Sequence, residues 1–290
     1  MKPPPFRYSR PESVADALAL LEPESKVLAG GQSLVPLLSM RLAVPEHLVD
    51  INRLAGLSYV EVADGAVRVG ALARHAEVLS SPAAAAAQPL LRKALRWVAH
   101  PAIRNRGTTL GSLVHADPSG EMPAVLALLG GTVRVASTAG ERTIAASEFF
   151  LGPLESDVQP GELAIEAQFP VLAAASAGTG FAEISRRRGD YAVCGVAALA
   201  WLSADGRVGG AAAAYLSVGP VPVVLDLTEA VAGAAADAAA FPAAADLAGG
   251  RLRLAADIHA TAAYRRQLAG VLTERALLEA IAEARETLAA

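Results

Sequence analysis

The sequence predicts an α+β fold built in two parts, and three observations carry that prediction. The first 55 or so residues read as strand, helix, strand. An Asp64-Gly65 pair flanked by alternating residues marks a β-hairpin. The C-terminal stretch gives two strand-like runs and then alanine-rich helices, the segregated order expected of an α+β chain.

Taken in order, residues 13–21 (SVADALALL) read as an amphipathic helix with Ser13 as its N-cap. KVLAGG, ending at Gly31, reads as a short strand running into glycines. Ser33 can cap a helix over LVPLLSMRL, with Pro36 in the first turn, where a missing N–H costs nothing. HLVDI (47–51) is the next strand, which completes a small βαβ unit. YVEVADGAVRVG, from Tyr59, is the hairpin. Helical stretches follow, including 88–99, then a Gly/Thr/Ser segment over 104–112 and a helix over roughly 119–129. TVRVAS and GELAIEAQFP (161–170) read as strands, and AAASAGTG after them reads as a linker, with a boundary near residue 175. Strands at 192–202 and 211–218 come next, and the last helix, around 261–288, carries Leu268, Leu272, Leu277, Leu278 and Ile281 at near-helical spacing. Alanine runs at 83–87 and 234–240 reflect compositional bias in helices.

Composition narrows the function classes. With 290 residues, 53% of them hydrophobic, the chain can bury a sizeable core. A net charge of −4 argues against a nucleic-acid surface, and the one dense basic run, Arg186-Arg187-Arg188, is too short for a groove. The single cysteine, Cys194, excludes an internal disulfide, favours a cytoplasmic compartment and cannot supply an iron–sulfur cluster. Five dispersed histidines show no metal-ligand spacing, so no metal is expected on this chain. MKPPPFRYSRPE lacks an apolar signal core, and the longest apolar run, Tyr191 to Leu202, is too short to span a bilayer as a helix. The expectation is a soluble protein.

Two segments carry chemistry. Ala29 to Ser33 (AGGQS) sits between a strand and a helix start, and Gly107 to Ser112 leads toward Asp117-Pro118-Ser119 and another helix start. Unsatisfied N–H groups in such places attract phosphate, and small side chains let the backbone approach closely. One such loop is weak evidence. Two of them, about 80 positions apart, suggest a ligand with a pyrophosphate and a second polar arm. Neither matches GxGxxG or a Walker loop. The plainer readings are helix caps for Ser33 and Ser119, a first-turn carboxylate for Glu121, a core aromatic for Tyr191 and a buried small hydrophobe for Cys194. His115 beside Asp117 suggests an acid–base pair, but no nucleophile motif accompanies it.

These segments resemble the medium, FAD-binding subunits of molybdenum hydroxylases, the family of carbon monoxide dehydrogenase and the flavin domain of xanthine dehydrogenase. AGGQS with LVPLLSMRLAVPEHLVDINRL resembles the family's first flavin loop, IRNRGTTLGSLVHADPSGEMPA its second, and SRRRGDYAVCGVAALA a third segment. The similarity runs in the family's order over nearly the whole chain. It implies an α+β architecture: an FAD-binding domain of the PCMH type over 1–175, with lobes of about 1–56 and 57–175, then a CO-dehydrogenase-flavoprotein-like domain over 176–290. The second domain would be an antiparallel sheet with a helical bundle.

Residue by residue, the resemblance implies that Ala29, Gly30, Gly31, Gln32 and Ser33 wrap the FAD pyrophosphate with backbone N–H groups. Thr108, Thr109, Leu110, Gly111 and Ser112 would hold the other phosphate side and the ribityl chain, with Leu110 standing where the family usually has a glycine. Glu121 would bond ribityl hydroxyls, Asp117 would shape the pocket, Leu163 would pack beside the cofactor, and Tyr191 would lie near the isoalloxazine ring. Some relatives carry a lysine just before the third segment; Phe181-Ala182-Glu183 stands here instead.

The function implied is electron transfer. FAD on this chain would collect electrons from [2Fe-2S] clusters on a small subunit, fed by a molybdenum cofactor on a large subunit, and pass them to an external acceptor. The expected assembly is a heterotrimer, with further dimerisation left open. The alternative is a self-contained flavin-dependent oxidase or reductase, which a substrate-binding base or a second large cap domain would favour. Neither is evident in the sequence.

Overall fold

The computed structural model describes residues 2–172 and 176–289. The chain opens with β1 (Arg7–Ser9), α1 (Val14–Ala19), β2 (Ser25–Leu28), α2 (Leu34–Met40) and β3 (His47–Asp50). The strands form a three-stranded parallel sheet in the order β1-β3-β2, with Val27 opposite Val49. Parallel pairing requires crossovers, and α1 and α2 supply them. Ser13 caps α1 as expected, accepting from Asp16 N–H at 3.0 Å. Ser33 occupies the N-cap position of α2, but its hydroxyl makes no capping bond.

The second lobe holds β4 (Val60–Ala63), β5 (Ala66–Gly70), α3 (His75–Ser80), α4 (Pro82–Ala87), α5 (Pro89–Leu95), α6 (Pro101–Arg104), α7 (Thr109–His115) and α8 (Glu121–Leu129). It continues with β6 (Thr132–Ser137), β7 (Gly140–Ala145), α9 (Ala146–Phe149), β8 (Phe150–Gly152), β9 (Glu155–Ser156) and β10 (Leu163–Pro170). Five of these strands form an antiparallel sheet, β4-β5-β10-β6-β7. Asp64 and Gly65 turn the β4–β5 hairpin with positive φ at both positions, as a two-residue primed turn demands. Glu166 of β10 is fully buried, held by Arg68 and Arg134 at 3.0 Å each and by the Tyr59 hydroxyl at 2.5 Å.

The third unit runs β11 (Ala177–Ser185), β12 (Ala192–Leu202), β13 (Val208–Leu216), β14 (Val223–Asp226), α10 (Thr228–Val231), α11 (Pro242–Arg251) and α12 (Ala262–Ala289). Its four strands pair antiparallel in sequence order. The two faces of this sheet serve different cores, as the period-two alternation of a strand allows. Phe181, Ala197, Ala214 and Leu216 join the core shared with the first two lobes. Ala182, Val196, Ala198 and Tyr215 pack under α12.

The linker reading of AAASAGTG fails from Ala177 onward, while Ala173–Ala175 lie outside the described residues. The glycines there serve packing. A Cβ on Gly178 would meet Ala280 O at 2.1 Å, and one on Gly180 would meet Ala276 O at 2.0 Å, so only glycine lets α12 lie this close to β11. Lys93 ties this unit to the second lobe by bonding Thr179 O at 2.6 Å and pairing with Glu279 and Glu283 at 3.0 and 3.2 Å.

Candidate cofactor site

The two expected loops meet. Gly30 is buried against the second segment: a Cβ there would lie 2.5 Å from Arg106 O, 2.7 Å from Gly107 Cα and 3.0 Å from Thr108 N. Gly31 follows at φ +72°, a conformation that costs a side-chain-bearing residue about 1–2 kcal/mol. Among the described residues, no protein group accepts from the N–H groups of Gly30, Gly31, Gln32 or Ser33. Gly30 is buried and Gly31 and Ser33 are half-buried, and donors in such places need a partner, which a ligand or water supplies.

The second segment is not a glycine loop between strand and helix. α6 precedes it, and from Thr109 onward it is helix α7, with Thr108 as the cap accepting from Gly111 N–H at 3.1 Å. Thr109 N–H goes to Ala73 O at 3.2 Å and Ser112 N–H to Thr108 O at 3.1 Å. Thr108 and Leu110 N–H remain without an acceptor among the described residues. The Leu110 side chain is buried in the core, so of this residue only the backbone can reach a ligand. That burial also explains a leucine in the place of a glycine: the side chain points inward and leaves the outer face clear.

A polar network that the sequence reading missed holds the loops together. Asn52 Nδ2 donates to Ala29 O at 2.8 Å and to Asp50 Oδ1 at 2.6 Å. Asp50 also accepts from the Tyr8 hydroxyl; burial works to raise its carboxyl, but the bonds from Tyr8 and Asn52 outweigh that and lower it. Arg74 spans the gap, donating to Asn52 Oδ1 at 2.8 Å and to Arg106 O at 2.6 Å. His75 N–H goes to Gly107 O at 2.9 Å, and its ring Nδ1 lies 3.1 Å from Thr109 Oγ1. Burial, reinforced by the charge of Arg104, pushes the His75 imidazole down to about 4, so it is neutral at physiological pH. Asn52 lies inside the quoted segment DINRL, but its long-range partners leave no periodic signal in the sequence.

The turn before α8 carries the other expected residues. Asp117 Oδ1 accepts from Ser119 N–H at 2.8 Å, and Gly120, not Ser119, holds the N-cap position. Ser217 N–H donates to Pro118 O at 2.8 Å, which docks the end of β13 on this turn. Burial raises the Glu121 carboxyl, and Asp117 adds to the shift. Tyr191 is 71% exposed, not a core aromatic; its phenol is raised by desolvation and then by the charges of Asp117 and Glu121. Leu163 is buried in the shared core on β10, opposite Ala136. His115 forms no hydrogen bond with Asp117, and burial lowers its ring. Two surface hollows of about 630 and 770 Å³ lie on the third unit, lined by residues such as Arg285 and Gly206 or Arg266 and Glu274, and neither includes a residue of this site.

Comparison with known proteins follows the same division. Residues 4–172 match the family described as the FAD binding domain in molybdopterin dehydrogenase. Residues 179–280 match the CO dehydrogenase flavoprotein C-terminal domain. The chain is 40% identical to the 6-hydroxypseudooxynicotine dehydrogenase complex subunit alpha of Paenarthrobacter nicotinovorans, over 99% of this chain and 98% of that one. Among solved structures it resembles a chain of quinoline 2-oxidoreductase from Pseudomonas putida 86, with TM-score 0.91 and 36% identity over 98% of this chain and 99% of that one. A chain of carbon monoxide dehydrogenase from Hydrogenophaga pseudoflava gives TM-score 0.90 and 35% identity, with the same coverage.

Proposed function

We propose, on the premise that this chain belongs to the FAD-binding family of molybdopterin dehydrogenases, that it is the electron-transfer flavin subunit of a molybdenum hydroxylase complex. The observation that carries the reading is the convergence of two loops on one another, with the N–H groups of Gly30 to Ser33, Thr108 and Leu110 left without protein acceptors. That donor set suits a pyrophosphate, because backbone N–H groups bind an anion without bringing a side chain into its path. FAD supplies the redox chemistry, accepting electrons singly or in pairs.

The residues of the chain would bind and orient it. Ala29, Gly30, Gly31, Gln32 and Ser33 would hold one side of the pyrophosphate and the N–H groups of Thr108 and Leu110 the other, while Thr109, Gly111 and Ser112, whose N–H groups are bonded within the chain, shape the first turn of α7. Glu121 and Asp117 present carboxyls to the ribityl hydroxyls. Leu163 backs the site from the core, and exposed Tyr191 covers the ring. The polar clamp of Asn52 and Arg74 fixes the spacing between the loops.

Electrons would come from [2Fe-2S] clusters on a small subunit, fed by a molybdenum cofactor on a large subunit, and would leave to an external acceptor, in the cytoplasm. The single buried cysteine supports this dependence on partners, since the chain cannot ligate a cluster by itself. The family matches over 4–172 and 179–280 support a boundary between the flavin domain and the third unit near residue 175.

The test is chemical. Acid precipitation of the purified chain should release a non-covalent flavin that chromatographs as FAD, and dithionite should bleach it. The isolated chain should oxidise no organic substrate. Release of FMN, a flavin that stays covalently attached, or robust turnover by the chain alone would overturn the reading.

A further inference from the structure

One buried polar atom beside this site has no partner. Glu183 on β11 is 4% exposed, and among the described residues its Oε2 is fully enclosed without a hydrogen bond. It lies opposite Gly195 of β12, on the same side of the sheet as Phe181, the side that joins the core shared with the flavin lobes. Glu121, whose carboxyl belongs to the proposed cofactor site, acts on it from the start of α8, a helix that packs against β12, the strand paired with β11.

Among the described residues, no Lys or Arg forms an ion pair with either carboxyl. The turn before α8 brings Asp117, another acid, and the loop between β11 and β12 brings the Tyr191 phenol. His115 at the end of α7 is half-buried, and burial lowers its ring from the usual value. On β12, the Cys194 thiol is pushed up to about 12 by burial and is neutral. From α12, Arg265 is engaged with Asp257 at 2.6 Å and Val193 O at 3.3 Å, and Glu279 bonds Phe181 N–H. Arg186 and Arg187 are exposed and pair with Asp190. An ionised Glu183, enclosed without a cation or a hydrogen bond, would pay full desolvation and be repelled by half-buried Glu121, so Glu183 retains its proton.

We propose that Glu183 and Glu121 act as one proton-holding pair in the wall of the cofactor site, with Glu183 the protonated member, so that FAD affinity falls when the pair loses that proton. The inference rests on the flavin-site reading given above. Burial raises both carboxyls; the charge of Glu121 adds to the shift at Glu183, and that of Asp117 to the shift at Glu121. FAD carries the negative charge of its diphosphate into a site already flanked by Asp117. Ionising the second glutamate adds one more negative charge to the same wall. Glu183 is here a positioning residue, acting through Glu121.

The experiment uses the full chain. Carboxyl carbon NMR of the apo chain, labelled at glutamate, should show one Glu side chain still protonated at neutral pH, a signal absent from Glu183→Gln. FAD titration by fluorescence should give a Kd that rises with pH, by at most about tenfold per pH unit for one linked proton. Glu183→Gln keeps a donor without the charge, so it should lose the part of that pH dependence that Glu183 carries and keep only the step from Glu121, which burial and Asp117 push up to about 7. A pair fully ionised at neutral pH in the apo chain overturns the proposal, as does a pH dependence unchanged in Glu183→Gln. No FAD binding at any pH, with the pair's proton still observed, instead overturns the flavin-site reading and the affinity half of this one with it.

Discussion

Gly30→Ala tests the joint between the two loops. The added methyl would sit 2.5 Å from Arg106 O, against about 3.4 Å for an ordinary contact, and 2.7 and 3.0 Å from Gly107 Cα and Thr108 N. All three neighbours are backbone, so no side chain can swing aside, and the loops must part by nearly an ångström at the carbonyl. Overpacking of this kind costs about 1–3 kcal/mol, and three backbone contacts put Gly30→Ala in the upper half of that range. For a chain of this size the melting temperature should fall by roughly 3–5 °C. A shift of that size also carries N–H donors beyond hydrogen-bond range of a phosphate, so the FAD Kd should rise at least about tenfold. Gly31→Ala is the internal control. Its methyl would meet only the side chains of Leu28 and Val35 at 3.2 Å, so its cost is the positive φ, and the second loop stays in place. Differential scanning fluorimetry and FAD fluorescence titration read both effects. A Gly30→Ala chain that melts and binds FAD like the wild type would refute the joint.

The remaining predictions concern the clamp, the pocket wall and the buried carboxylate of the second lobe. Arg74→Met removes the bonds to Asn52 Oδ1 and Arg106 O while keeping an apolar stem, so FAD affinity should fall by about 1.5–3 kcal/mol in a titration, and an unchanged Kd would show that the clamp is idle. Glu121→Ala should weaken FAD binding more modestly than loop disruption, by about 1–3 kcal/mol, read in the same titration. Burial of Glu166 works to raise its carboxyl, but bonds from Gln168, Tyr59 and Arg68 and the charge of Arg134 outweigh it and hold it at about 2. The folded value is depressed below the unfolded one, so its contribution, about 3 kcal/mol, is present above about pH 4.5 and lost as the pH falls toward 2. Acid unfolding followed by circular dichroism should show this loss, and Glu166→Gln should be less stable at neutral pH with a flatter acid limb.

What the sequence made legible was what local chemistry decides. The Ser13 cap, the Asp64-Gly65 hairpin and the long final helix follow from neighbours within one turn or one strand pair, and all three stand in the structure. GTG at 178–180 misled because a glycine run has two physical uses, freedom and closeness, and the choice between them lies in α12, a hundred residues away. The second loop misled for a related reason. Thr108 and Gly111 look like loop residues, yet Thr108 turns its hydroxyl back to cap α7, and only the isolated bridge between Arg74 and Thr108 fixes where that helix starts. Asn52 and Arg74 escaped notice because their work is to satisfy carbonyls from other segments, and an asparagine after a strand reads the same whether it does so or not. The resemblance placed the cofactor residues along the chain, but the reason they meet is in none of the motifs. Gly30 touches Gly107 because Arg74 and Asn52 hold the two carbonyl ends, and that clamp is assembled from residues in four separate segments. A motif can therefore survive while the site fails, and Arg74→Met, which leaves both motifs intact, is the change that separates the two.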